Sequence, residues 1–217
     1  TIERLVKIAR NTEKVDVSED AWTRIKVSRD MIQRKVDAHE VMYGVTTGIG
    51  EFSEVVLTPE QTKNFQKFLV YSHAAGIGGP MSQDVVRGGM CGRINVHCRG
   101  YSGGRSEITQ QLINVLNSGI TPVVAEKGSV GACGDLSPMS QMAMCLMGEG
   151  DAYYKGKRMA ASEALKLADI EPLILAARDG LALINGSNML TAMAALTISD
   201  ARNWIKLHDI AAAMTLE

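Results

Sequence analysis

Ala132, Cys133 and Gly134 sit inside the glycine-rich stretch Gly128 to Pro138, with Gly128 and Gly131 before them and a helix start after them. Glycine has no Cβ, so Gly134 can fold the backbone back at angles closed to other residues, and Ala132 keeps the inside of that turn small. The Gly134 amide nitrogen can then approach the Ala132 carbonyl carbon. Attack there, loss of the carbonyl oxygen as water and elimination of the Cys133 sulfur as hydrogen sulfide would leave a five-membered ring with an exocyclic methylidene group. Such a ring is a carbon electrophile built from protein alone. The same residues also describe an ordinary glycine-rich turn with Cys133 as a small buried hydrophobe, and taken alone they favour that reading.

The flanking sequence must position this stretch. Ile120 to Val124 reads as an extended segment leading in, and Asp135 with Ser137-Pro138 opens a helix whose Met139, Met142, Met144 and Met147 read as adaptable core. Val41 to Gly50 alternates β-branched residues with three glycines and is expected to be a strand running into a loop, with Tyr43 at its start. Neither G-x-x-x-x-G-K-[ST] nor G-x-G-x-x-G fits, which argues against a nucleotide site. Thr58-Pro59-Glu60-Gln61 is a capping box with proline at N1, so a helix is expected to run from there to Ser72-His73, where Gly76, Gly78, Gly79 and Pro80 end it. A histidine at that end is by default a cap or core residue; a functional one needs a pocket beside it.

The remaining pattern is mostly helical. An amphipathic helix is expected at residues 2 to 9, a second after Ser18, a third after Ser82, a fourth at residues 107 to 117 with Gly119 as its C-cap, and a short one capped by Ser162. Tyr153 to Met159 reads as a hairpin turning at Gly156. Leu183 to Ser187 reads as a turn between apolar segments, followed by a glycine- and proline-free run to Glu217, about 45 Å of helix.

Composition excludes several classes. The chain has 217 residues, is 46% hydrophobic and 22% charged, and carries a formal net charge of −1, so neither disorder nor charge-driven nucleic-acid binding is indicated. No unbroken apolar run approaches the ~18 residues of a membrane helix and no signal-peptide core stands at the start, so no membrane partner and a cytoplasmic location are expected. Cys91, Cys98, Cys133 and Cys145 form neither a CxxC pair nor a disulfide framework. His97 beside Cys98 points elsewhere on a helix, and no second cluster completes a metal site, so a packed or solvated pair is expected.

Four stretches in this order, Tyr43-Gly-Val-Thr-Thr-Gly-Ile-Gly50, Ser72-His-Ala-Ala-Gly-Ile-Gly78, Gly128 to Pro138 and Ile184-Asn-Gly-Ser187, closely resemble the histidine and aromatic amino acid ammonia-lyases and aminomutases. The resemblance covers essentially the whole chain. It implies a mainly α, fumarase/aspartase-like fold, with a mixed N-terminal region (1-180) carrying small β elements and the active-site loops, and the first long helix of a central bundle (181-217). It implies a methylidene-imidazolone prosthetic group formed from Ala132, Cys133 and Gly134, with no metal or nucleotide. Tyr43 becomes the base that removes a β-proton, Ser72 and His73 the selector of the substrate side chain, Asn185 the holder of the ring or the substrate carboxylate, Gly50 a substrate-binding loop position, and Asp135 the support of the loop.

The Ser-His pair resembles the version that accepts histidine, which makes L-histidine to urocanate the expected reaction. A 2,3-aminomutase, a ring-free relative such as ergothionase, and a non-catalytic binding or assembly fragment stand as alternatives. The family usually has serine where this chain has Cys133; sulfide leaves by the same β-elimination. Family members are more than twice as long and form homotetramers. The sequence begins at Thr1 with no methionine and the last helix stops apolar and uncapped at Glu217, so a longer polypeptide is expected, with the C-terminal half as a required partner and these 217 residues inactive alone.

Overall fold

The computed structural model describes residues 1–11, 13–131 and 133–217. Ala132, the first residue of the candidate ring precursor, lies outside the described residues.

Helices α1 (Ile2–Asn11), α2 (Glu19–Asp37), α3 (Pro59–His73), α4 (Gln83–Cys98) and α5 (Ser106–Ser118) precede the glycine-rich loop; α6 (Leu136–Leu146), α7 (Ala161–Leu167), α8 (Asp179–Ile184) and α9 (Asn188–Leu216) follow it. The strands are short. β1 (Ile77–Pro80) pairs antiparallel with β3 (Ala125–Lys127), while β2 (Thr121–Pro122), β4 (Asp151–Tyr154) and β5 (Lys157–Ala160) form an antiparallel sheet in the order β2-β4-β5. A mainly α architecture with small β elements is therefore what the chain adopts.

The start of α3 shows why the local signals work. Thr58 Oγ1 accepts from the Gln61 amide at 3.2 Å while Gln61 Oε1 accepts from the Thr58 amide at 2.9 Å, so two otherwise orphaned donors are satisfied reciprocally. Gly119 ends α5 at φ 85°, a left-handed conformation that glycine adopts without strain.

One apolar cluster runs from Ala9 through Met90, Leu112, Met139 and Leu183 to Leu196. Helix α4 lies at its centre, packing against α1, α2, α5 and α9. Gly88 and Gly89 make the α9 approach possible: a Cβ on Gly88 would come within 3.0 Å of the Ala192 Cβ, and one on Gly89 within 2.3 Å of the Met189 sulfur. The helix-weakening cost of two interior glycines is thus offset by close packing of α9.

The first turns of α9 are buried, whereas residues 201 to 217 are exposed throughout, Trp204, Leu207, Ile210 and Met214 included. By length and composition alone the stretch Asp179–Leu216 is apolar enough to cross a membrane; its opening turns are core.

Three local expectations differ from the structure. Val41 to Gly50 forms successive turns and one isolated bridge, Thr47 to Val56, instead of a strand. Its threonines bond locally, Met42 N–H to Thr46 Oγ1 at 2.8 Å and Gly44 N–H to Thr47 Oγ1 at 3.2 Å, which competes with ladder pairing. Ser162 lies inside α7, which starts at Ala161 with Ala160 as N-cap. The turn at residues 183 to 187 is preceded by the short helix α8. At the predicted caps Ser18 and Ser82 the positions are right, but neither side chain makes a capping hydrogen bond.

Candidate active site

The glycine-rich loop is delivered by β3 and received by α6. Gly131 and Gly134 take φ of 86° and 82°, and the Gly134 amide donates to the Gly131 carbonyl at 3.3 Å. A second turn follows at once, from the Asp135 amide to the Cys133 carbonyl at 3.1 Å. Cys133 is half-buried with a free thiol. Small residues, left-handed glycines on either side and an amide nitrogen folded back towards its own chain fit what a backbone-derived imidazolone requires.

Asp135 ties this loop to α9. It is 1% exposed, and its Oδ1 accepts from the Ser129 hydroxyl at 2.7 Å while Oδ2 accepts from the Leu190 amide at 3.0 Å. A carboxylate at the first turn of a 29-residue helix satisfies an orphan donor and complements the positive end of the dipole. Nothing in the local sequence announces the Leu190 partner, 55 residues away.

The Ser72 to Gly78 stretch reaches the same loop from below. A Cβ on Gly128 would fall 3.1 Å from the Gly76 Cα and 3.0 Å from Ser137 Oγ, so these two backbones meet at the start of α6. Upstream, His73 Nδ1 lies 2.9 Å from the Leu69 carbonyl oxygen and 3.0 Å from Ser72 Oγ. A carbonyl can only accept, so Nδ1 carries the proton and Nε2 of the neutral ring is left as an acceptor. Ser72 donates to the same Leu69 oxygen at 3.0 Å, which sets both side chains against the last turn of α3.

Tyr43 stands in the turn region, 56% exposed, with the Gly50 amide donating to its phenolic oxygen at 3.3 Å. The loop around it is anchored by buried Gln66, whose Nε2 donates to the Gly44 carbonyl at 3.3 Å and whose Oε1 accepts from the Leu181 amide at 3.2 Å. Gly44 has φ 64°, and a Cβ there would lie 2.6 Å from Leu181 Cδ2, so the turn that carries Tyr43 sits directly on α8. Helix α8 in turn ends at Asn185, an exposed residue in extended conformation.

The predicted residues therefore share one framework: α3, α6 and α8 pack together, and α6 touches α9. A cleft of about 510 Å³ between α1, α4 and the α8–α9 turn is lined by Asn185, Gly186 and Ser187, but Tyr43, His73 and Cys133 lie outside it. The described hydrogen bonds do not join Tyr43 to Cys133, His73 or Asn185.

Sequence reasoning passed over Arg93, Gln66 and Ser129, all of which hold this framework. It expected His97 to be packed or solvated, and the structure buries it: Nε2 donates to the Ala182 carbonyl at 3.0 Å and Nδ1 accepts from the Thr109 hydroxyl at 2.9 Å. Burial, aided by the Arg93 charge and opposed by the Ala182 bond, pulls its pKa down to about 4. Among the described residues, no group of three His, Cys, Asp or Glu side chains converges on a metal position.

With this geometry in view, comparison with known proteins is decisive about ancestry. The family model described as aromatic amino acid lyase matches residues 1–217. The chain belongs to that family. It is 48% identical over 217 residues to the histidine ammonia-lyase of Alkaliphilus oremlandii, covering 100% of this chain and 43% of that relative. Among solved structures it is similar to the phenylalanine aminomutase of Pantoea agglomerans, with TM-score 0.90 and 28% identity over 96% of this chain and 40% of that one. It is also similar to the histidine ammonia-lyase of Trypanosoma cruzi, with TM-score 0.85 and 32% identity over 93% of this chain and 39% of that one. The aromatic amino acid lyase family thus accounts for the whole chain, which spans less than half the length of these relatives.

Proposed function

We propose that this member of the family acts as an ammonia-lyase on L-histidine, releasing urocanate, with Ala132, Cys133 and Gly134 forming the methylidene-imidazolone. The observation that carries this reading is Asp135: a buried carboxylate joins the Ala-Cys-Gly loop to the first turn of α9, beside Asn185. That is a fixed stage for an electrophile next to a carboxamide.

The β-hydrogen of an amino acid is barely acidic and ammonia is a poor leaving group, so a base alone does not give useful rates. The prosthetic group supplies an electrophilic carbon that makes the amine a better leaving group. Tyr43 takes the β-proton at its phenolic oxygen, where the Gly50 amide places a donor for the negative charge. Asn185 orients the substrate by its carboxamide. His73 presents Nε2 as an acceptor for an imidazole N–H, a pairing that phenylalanine cannot make and that favours histidine. The likeness to histidine ammonia-lyases supports this choice of substrate.

The deciding experiment uses the complete protein with L-histidine, L-tyrosine and L-phenylalanine, following the ultraviolet absorbance of the unsaturated acid. Turnover of histidine first among the three is expected. Intact-mass measurement should show loss of one water and one hydrogen sulfide; the full encoded mass would sink ring formation. The assembly is proposed to be a homotetramer in the cytoplasm, and the 217 residues alone are expected to release no product. A second reading, 2,3-aminomutase, is favoured by the likeness to the Pantoea enzyme. A β-amino acid in chirally resolved products would establish it.

A further inference from the structure

Arg93 is 2% exposed on α4, yet among the described residues its guanidinium bonds to backbone alone: Nη1 donates to the Ala182 carbonyl at 3.2 Å and Nη2 to the Asn185 carbonyl at 2.9 Å. Its buried Nε has no partner among the described residues. Burial pulls its pKa down to about 10. Keeping a cation in such a place is costly unless the groups it holds must be held.

Those groups are the C-terminal carbonyls of α8, the last belonging to Asn185 itself. The next residue is shaped around the same cation, because a Cβ on Gly186 would lie 2.3 Å from Arg93 Nη2. On the outgoing side, Asp135 accepts the Leu190 amide of α9. A cation thus caps the end of one helix and an anion the start of the next, each with the sign its helix dipole favours. Asn185 lies between the two. The planar fork spans two carbonyls three residues apart, which a lysine ammonium on a flexible stem does not reproduce.

We infer that Arg93 is a positioning residue for Asn185, acting through the backbone of the α8–α9 turn to fix the carboxamide that meets the substrate. The functional half of this inference rests on the lyase reading; the structural half does not.

The test is a double-mutant cycle in the full-length protein, with hydrogen exchange alongside. Arg93→Lys should lower kcat about 100-fold in the parent, the scale expected for a misplaced orienting group. In an Asn185→Ala background the same change should cost less than about threefold, because the group Arg93 positions is already gone. Gly186→Ala, which displaces the guanidinium without removing it, should lower kcat by a similar factor of about 100 and decides the matter where Arg93→Lys folds poorly. Amides 185 to 190 should exchange faster in both variants while the β4–β5 hairpin stays unchanged. Equal losses of kcat in both backgrounds would overturn the catalytic half, and unchanged exchange at 185 to 190 would overturn the whole inference. If the parent turns over no amino acid, the lyase reading fails on its own and the exchange measurement still decides whether Arg93 holds the turn.

Discussion

On one side of the candidate site Asp135 and Arg93 are 1% and 2% exposed, and each makes two hydrogen bonds that pin the loop or the α8–α9 turn. On the other side Tyr43 is 56% exposed and His73 half-buried, and among the described residues both bond within their own segments. The side of the glycine-rich loop is fixed by buried charges that reach across the fold. The side of Tyr43 and His73 takes its position from backbone anchors, Gln66 and the Gly44 contact with Leu181, and leaves its side chains open. Burial of charge gives rigidity at a desolvation cost; exposure keeps a group accessible to a substrate.

Breaking each side should therefore fail differently. Tyr43→Phe in the full-length protein should cut kcat about 10³-fold while leaving the melting temperature within a degree or so, because an exposed hydroxyl contributes little to packing. A variant within tenfold of the parent would remove Tyr43 as the base. Asp135→Ala should do the reverse, destabilising by about 3 kcal/mol by leaving the Ser129 hydroxyl and the Leu190 amide without an acceptor. Its intact mass should retain the elements of water and hydrogen sulfide; a cyclised, fully stable Asp135→Ala protein would contradict the role given to this carboxylate.

The buried side also carries a pH dependence. His97 has its pKa lowered from 6.5 to about 4 in the fold, so between these values the unfolded chain binds the extra proton. Stability is full above pH 6.5 and falls towards pH 4 by about 3 kcal/mol. Urea melts across that window should show the slope in the parent and a flatter one in His97→Gln. The open side is probed by Gly44→Ala, which forces a Cβ into φ 64° against Leu181. About 1–2 kcal/mol of stability should be lost, with a larger proportional fall in kcat because the turn bearing Tyr43 is displaced.

Local chemistry was readable at several places where the partner lies within a few residues. The Thr58–Gln61 capping box, the Gly119 C-cap and the hairpin turning at Gly156 all stand where sequence places them. The strand expected at Val41 to Gly50 failed because Thr46 and Thr47 satisfy backbone groups through their hydroxyls, a competition that alternation of residue types does not reveal. Helix α8 was hidden because it is six residues long and begins after Arg178 in a left-handed conformation, without a capping side chain. Arg93 was hidden for a different reason: an arginine between helical hydrophobes looks solvent-facing until the fold supplies carbonyls 89 and 92 residues away. The interior glycines beside it, Gly88, Gly89 and Gly92, were the available hint that another backbone comes close to this part of α4.

The uncovered half of α9 has a practical consequence. The chain has two tryptophans; Trp22 packs against the core, while Trp204 is 65% exposed with the His208 ring 5.5 Å away, centroid to centroid. Fluorescence from these 217 residues therefore comes from one sheltered and one wet indole. Any polypeptide laid along the end of α9 shifts the second emission to the blue, so the chain carries its own unlabelled reporter of that encounter.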